Sequence, residues 1–164
     1  LSLHDALPIL YKNLLTELEI TYINKTLRGS HWGYGYTSSS SDKPIWNFDK
    51  EKSKPIAELI FSKLEGYTLD DWHINGQTRL MDGGVHQDHH EGSTHSFVFF
   101  TQGWEYLWGG RLHLCPVDAS PIVITPEPNM GILFDSSIPH YAEGVAYTQT
   151  FLRTSIGLKL SKKI

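Results

Sequence analysis

The chain has 164 residues, 40% of them hydrophobic, 20% charged and 12% aromatic, which fits one folded domain with a core and excludes collagen-like, disordered and disulfide-scaffold classes. Fourteen Lys and Arg against 18 Asp and Glu leave a net charge of −4, and the one basic run is the short tail 159–163, so no phosphate-tracking nucleic-acid surface is expected. The single cysteine, Cys115, makes the cytoplasm the expected compartment, and no apolar run approaches the roughly 18 residues of a membrane-spanning helix.

Residues 1–9 (LSLHDALPI) resemble the translation of a sequencing adapter joined to a truncated reading frame. They read as a leader foreign to the domain, and His4 and Asp5 are set aside on that ground. Residues 10–71 read as an N-terminal helical and loop region of the same domain. Leu10, Leu14, Leu18 and Ile23 follow a helical period that predicts one helix over 10–27, broken by Gly29. Gly33, Gly35 and the serine run 38–41 predict a loop over 33–41, and Trp32, Tyr34 and Tyr36 read either as a lid over a barrel mouth or as part of an ordinary connection. Ser53 and Pro55 predict the start of a second helix, with Ile56, Leu59, Ile60 and Leu64 on one face and Gly66 as the stop.

From residue 72 the period changes from 3.6 to 2, and residues 72–164 read as a β-domain. Strands are predicted over 72–80, 94–101, 111–115, 122–125, 131–134, 140–146 and 150–160. Pro116, Pro121, Pro126, Pro128 and Pro139 all fall between them, where a missing amide donor harms no ladder. Seven short antiparallel strands suggest a sandwich or barrel.

Within this half His86, His89, His90 and His95 crowd one turn with Asp88 and Glu91. Residues i and i+2 of a strand point the same way, so His86 and Asp88 present an imidazole and a carboxylate to one ion. His140 follows the turn 136–139 and begins a strand able to return beside the first. Two histidines and one carboxylate form the facial set diagnostic of non-haem Fe(II) oxygenases. Thirteen residues on, Arg153 and Ser155 share one face of the alternating stretch 151–158, and a guanidinium beside a hydroxyl suits a carboxylate.

The order His86-x-Asp88, His140, Arg153-x-Ser155 resembles the 2-oxoglutarate and Fe(II)-dependent oxygenases, in particular their prolyl 4-hydroxylase-like branch. The likeness runs over 72–160 and takes in Asn75-Gly76-Gln77-Thr78, the tryptophan-bearing segment 104–110 and the stretch 126–134 (PEPNMGILF). It implies a mainly β fold with flanking helices, the double-stranded β-helix or jelly roll. It also implies Fe(II) on His86, Asp88 and His140, 2-oxoglutarate held by Arg153 and Ser155, and ascorbate as an auxiliary reductant. The implied reaction hydroxylates a peptide, prolyl or other small substrate with release of succinate and carbon dioxide.

The chain departs from the family's pattern in three places. Arg111 stands where a glutamate often follows the Trp-Gly-Gly element, and no tyrosine occurs in 72–85, leaving Asn75, Gln77 or Arg79 as alternative second contacts for 2-oxoglutarate. The interval from His140 to Arg153 is longer than usual, which predicts a long hairpin over 143–149 with Gly144 as its turn residue.

Two further readings compete: a zinc-dependent hydrolase using the same His/Asp cluster, and a non-catalytic jelly-roll binding module. The first is weakened by Gly84, which stands where a metallo-β-lactamase-like motif needs a histidine. His73 and His113 read as hydrogen-bonded sheet residues, His89, His90 and His95 as loop or rim residues, and Trp104, Tyr106 and Trp108 as a substrate-flanking surface or a packed cap.

Overall fold

The computed structural model describes residues 7–37, 43–88 and 94–163. His4, Asp5, His89, His90, Glu91 and the serine run lie outside them. The elements are β1 (Ile9–Lys12), α1 (Glu17–Leu27), β2 (Trp32–Tyr36), β3 (Ile45–Phe48), α2 (Lys50–Phe61), β4 (Tyr67–Gln77), β5 (His95–Phe100), β6 (Leu112–Leu114), β7 (Ile122–Ile124), β8 (Met130–Asp135), β9 (His140–Ala142) and β10 (Arg153–Lys162).

Seven strands form one sheet in the order β1-β8-β5-β10-β4-β3-β2, and three form a second, β7-β6-β9. The chain crosses between the sheets after β5, β7, β8 and β9, which is the winding of a double-stranded β-helix. Strand alternation divides the large sheet between two cores. Phe97, Phe99, Leu133, Ile156 and Leu158 pack with Ile23 and Leu27 of α1 and Ile56 and Ile60 of α2. Phe100, Met130, Ile132 and Phe134, on the opposite face, pack with Leu112, Leu114 and Ile124 of the small sheet. Among the described residues no helix is long and apolar enough to cross a membrane.

Both helices start at side-chain caps. Thr16 Oγ1 accepts from the Glu19 amide at 3.3 Å, and the Glu19 carboxylate accepts from the Thr16 amide at 2.8 Å, closing a capping box. Asp49 accepts from the Lys52 amide at 2.9 Å, so α2 begins ahead of the predicted Ser53 and contains Pro55.

The predicted helix over 10–27 divides into β1, which pairs antiparallel with β8, and α1. Leu10 and Leu14 imitate a helical repeat, but the strand brings Ile9 opposite Leu133. Residues 32–36 are a strand, not a loop. Trp32 faces Phe48 and Tyr34 faces Trp46 across the β2–β3 pair, with ring centroids 5.1 Å apart in each case. The glycines between these aromatics give the sequence its loop-like texture. The expected hairpin over 143–149 is a crossover, because β9 belongs to the small sheet and β10 to the large one.

Candidate metal centre

His86 and His140 meet through their backbones as an isolated antiparallel bridge, each amide donating to the other's carbonyl at 3.0 and 2.8 Å. Asp88 follows two residues on, its amide donating to the Ser136 carbonyl at 3.1 Å. His86 Nε2 lies 3.6 Å from Asp88 Oδ1, and His140 Nε2 lies 3.4 Å from Asp88 Oδ2. One ligand atom from each of the three residues falls within 4.8 Å of the others.

Each imidazole is oriented from behind. Nδ1 of His86 donates to the Gly84 carbonyl and Nδ1 of His140 to the Ile138 carbonyl, both at 2.9 Å. A carbonyl only accepts, so Nδ1 carries a proton in each ring, and Nε2 is the atom turned towards Asp88. Two imidazoles and a carboxylate converging on one point form a donor set that fits a divalent transition metal with open positions.

Asp88 is largely buried. Burial opposes its ionisation, but hydrogen bonding with His140 and the neighbouring Lys159 ammonium outweigh that cost and hold its carboxyl well below the usual carboxylate range. Its Oδ2 also accepts from Ser96 Oγ at 2.6 Å.

The three residues line a cavity of about 590 Å³ that also reaches Arg153, Ser155, Gln77 and Asn75. Arg153 is 1% exposed and lies over the Phe100 ring. It donates from Nε to the Gly110 carbonyl at 2.6 Å and from Nη1 to Gln77 Oε1 at 2.8 Å. Gly110 has a positive φ of 66°, and a Cβ there would fall 2.9 Å from Arg153 Cδ, so glycine is what admits the guanidinium. Burial pulls the Arg153 pKa down to about 10, which leaves it charged at neutral pH. Among the described residues it forms no ion pair with a carboxylate. The Glu143 carboxylate acts on this buried cation only from beyond ion-pair distance, an arrangement with room for an anion in the cavity.

Of the alternative second contacts, Gln77 touches Arg153 and Asn75 lines the cavity, whereas Arg79 is exposed and stacks over Tyr147. Arg111 is held by Glu143 through two hydrogen bonds of 2.8 and 3.2 Å. Trp104, Trp108 and Phe151 form an edge-to-face cluster, and none of the three lines the cavity; Tyr106 lies under Arg111. Tyr36 does line the cavity, as does His73, which the sequence reading left as an ordinary sheet residue. Burial, reinforced by Lys159, pushes the His73 pKa down to about 4 against the pull of Asp88 and Asp71.

Lys159 also lines the cavity, paired with Asp88, and the sequence carries a signal for it. The alternation that sets Arg153 and Ser155 on one face continues through Gly157 to Lys159, and all four line the cavity.

No protein-family model matches the chain, and no curated protein matches it in sequence. The fold recurs among solved structures. An oxidoreductase of the 2OG-Fe(II) oxygenase family from Burkholderia pseudomallei superposes with a TM-score of 0.74 at 16% identity, over 94% of this chain and 84% of that one. A prolyl hydroxylase from Trichoplax adhaerens, in complex with a hypoxia inducible factor oxygen degradation domain peptide fragment, gives 0.70 at 15%, over 94% and 83%. A Pseudomonas putida prolyl-4-hydroxylase gives 0.70 at 15%, over 99% and 96%. At such identities the likeness establishes architecture: the chain is mainly β, with two α-helices among the described residues, and it has the double-stranded β-helix seen in 2OG-Fe(II) oxygenases.

Proposed function

We propose that the protein is an Fe(II)- and 2-oxoglutarate-dependent dioxygenase that hydroxylates a peptide side chain, such as a prolyl ring, or another small substrate. The observation that carries this reading is that a His86-Asp88-His140 donor set and an unpaired, buried Arg153 line one cavity. The two ends of a keto-diacid require these two features: a metal with open positions and a fixed cation.

His86, Asp88 and His140 would hold Fe(II) on one face, leaving the opposite positions to ligands. A bound ferrous ion supplies activation of dioxygen coupled to decarboxylation of the ketoacid. Arg153 would bind the distal carboxylate, with Gln77 fixing the guanidinium plane and Ser155 adding a hydroxyl. The balance is one 2-oxoglutarate, one dioxygen and one substrate C–H giving succinate, carbon dioxide and the hydroxylated product. The peptide bound by the Trichoplax relative supports a peptide substrate, and the choice among peptides is a matter of the cavity mouth rather than the fold.

The test is to incubate metal-stripped protein with ferrous iron, ascorbate and 2-oxoglutarate, with zinc replacing iron as control, and to measure succinate. Succinate with iron and none with zinc is the expected result. No succinate, together with no binding of 2-oxoglutarate, overturns the reading in favour of a non-catalytic module; zinc-supported hydrolysis of an ester or amide panel would favour the hydrolase. Proline-containing peptides that raise succinate formation above the uncoupled level would identify the substrate class.

A further inference from the structure

Lys159 and Ser96 are direct cross-strand partners in the β10–β5 pair, and both reach the same atom, Oδ2 of Asp88. The Lys159 side chain is 12% exposed and lines the cavity, with Asp88 as its partner. Ser96 Oγ, at 2.6 Å, already fixes the rotation of the carboxylate, leaving Oδ1 turned towards His86. What the ammonium adds to this arrangement is charge.

We propose that Lys159 is a positioning residue of the metal centre whose fixed positive charge shifts its preference from cations to anions. The proposal rests on the dioxygenase reading above. A divalent ion beside one carboxylate carries a single net positive charge, and a dianionic ketoacid would leave that centre negative. The Lys159 ammonium on Asp88 brings the sum at the metal end to zero, while Arg153 answers the far carboxylate. The ammonium therefore opposes the metal alone and favours the metal with its dianionic ligand. Ordered loading follows from this: the ion is held loosely until the diacid arrives.

Direct binding measurements test this. Mn(II) is titrated into metal-free protein and followed by electron paramagnetic resonance, and 2-oxoglutarate is then titrated calorimetrically into the Mn(II)-loaded protein. Lys159→Met should bind Mn(II) about tenfold more tightly and 2-oxoglutarate about tenfold more weakly, the order expected for removal of one adjacent unit charge. Lys159→Arg, which keeps the charge, should stay within about threefold of the parent in both. Opposite signs are the signature, since a general loosening of the site weakens both ligands. If both affinities fall together in Lys159→Met, or neither moves, the proposal is overturned while the dioxygenase reading stands. If Mn(II) binding to the parent protein survives His140→Ala, or is absent from the parent and Lys159→Met alike, both fail. Lys159→Gln repeats the measurement should the methionine variant melt early.

Discussion

His140 is joined to His86 by main-chain rather than side-chain bonds: their amides and carbonyls exchange two hydrogen bonds while the rings lie 4.5 Å apart. Truncating either imidazole therefore leaves the bridge that shapes the site. His140→Ala and Asp88→Ala should each lower metal affinity by more than about 100-fold and abolish uncoupled 2-oxoglutarate decarboxylation, with the far-ultraviolet circular dichroism of the parent retained. Unchanged turnover in either variant would remove that residue from the ligand set.

Arg153 offers a planar fork, and its plane is set by Gln77 and the Gly110 carbonyl. Arg153→Lys keeps the charge but loses the fork, so the dissociation constant for 2-oxoglutarate should rise about tenfold. Gln77→Leu should give a smaller rise by freeing the guanidinium. Calorimetric titration of metal-loaded protein measures both, and a parental isotherm for Arg153→Lys would argue against a carboxylate clamp.

Gly131 lies beneath the ring of Phe97, where an added Cβ would fall 2.1 Å from Cζ. The ring cannot retreat, because it is buried between Tyr11 and Phe99. Gly131→Ala should destabilise the fold by about 1–3 kcal/mol in urea denaturation. Pairing it with Phe97→Leu should recover part of the loss, and additivity of the two costs would refute this account of the contact.

His73 is held neutral in the folded protein, its pKa pushed down to about 4 from an ordinary 6.5. Between those values the unfolded chain binds a proton that the folded chain refuses, so stability should fall as pH drops from about 6.5 to 4. His95, depressed in the same direction by burial, adds to the loss on the acid side of its ordinary value. Asp88 acts lower: its stabilisation is complete above the ordinary carboxylate value and is lost only below it. Urea midpoints measured across this range should show a shallower slope for His73→Gln, and an identical slope would exclude His73 as a source.

The candidate metal centre is legible in residue types and spacing, but the strand expected to align His86 with Asp88 is absent: both lie between β4 and β5, and only His140 opens a strand, after a proline turn. Arg153 and Ser155 do follow strand parity, two apart on β10. Lys159 was passed over because its position in a basic tail resembled a solvated end, and His73 because only the tertiary fold shows which side of β4 meets the cavity. At the N-terminal end, Leu10 and Leu14 imitated a helix, and Gly33 and Gly35 concealed an edge strand whose aromatics pack across to β3. Ile9 pairs with Leu133, far along the chain, and Tyr36 with Ile45 in the next strand, and local period carries no record of either pairing.

The three candidate ligands are anchored in different layers of the sandwich. Asp88 is tethered to the large sheet through Ser96 of β5 and Lys159 of β10, whereas His140 belongs to β9 of the small sheet and carries His86 with it. An ion held by these residues would act as a clasp, drawing together two walls that also meet through the apolar seam around Ile132 and Leu114. Chelation would then unfasten the mouth of the barrel, and catalytic competence and mechanical closure would be lost in one event.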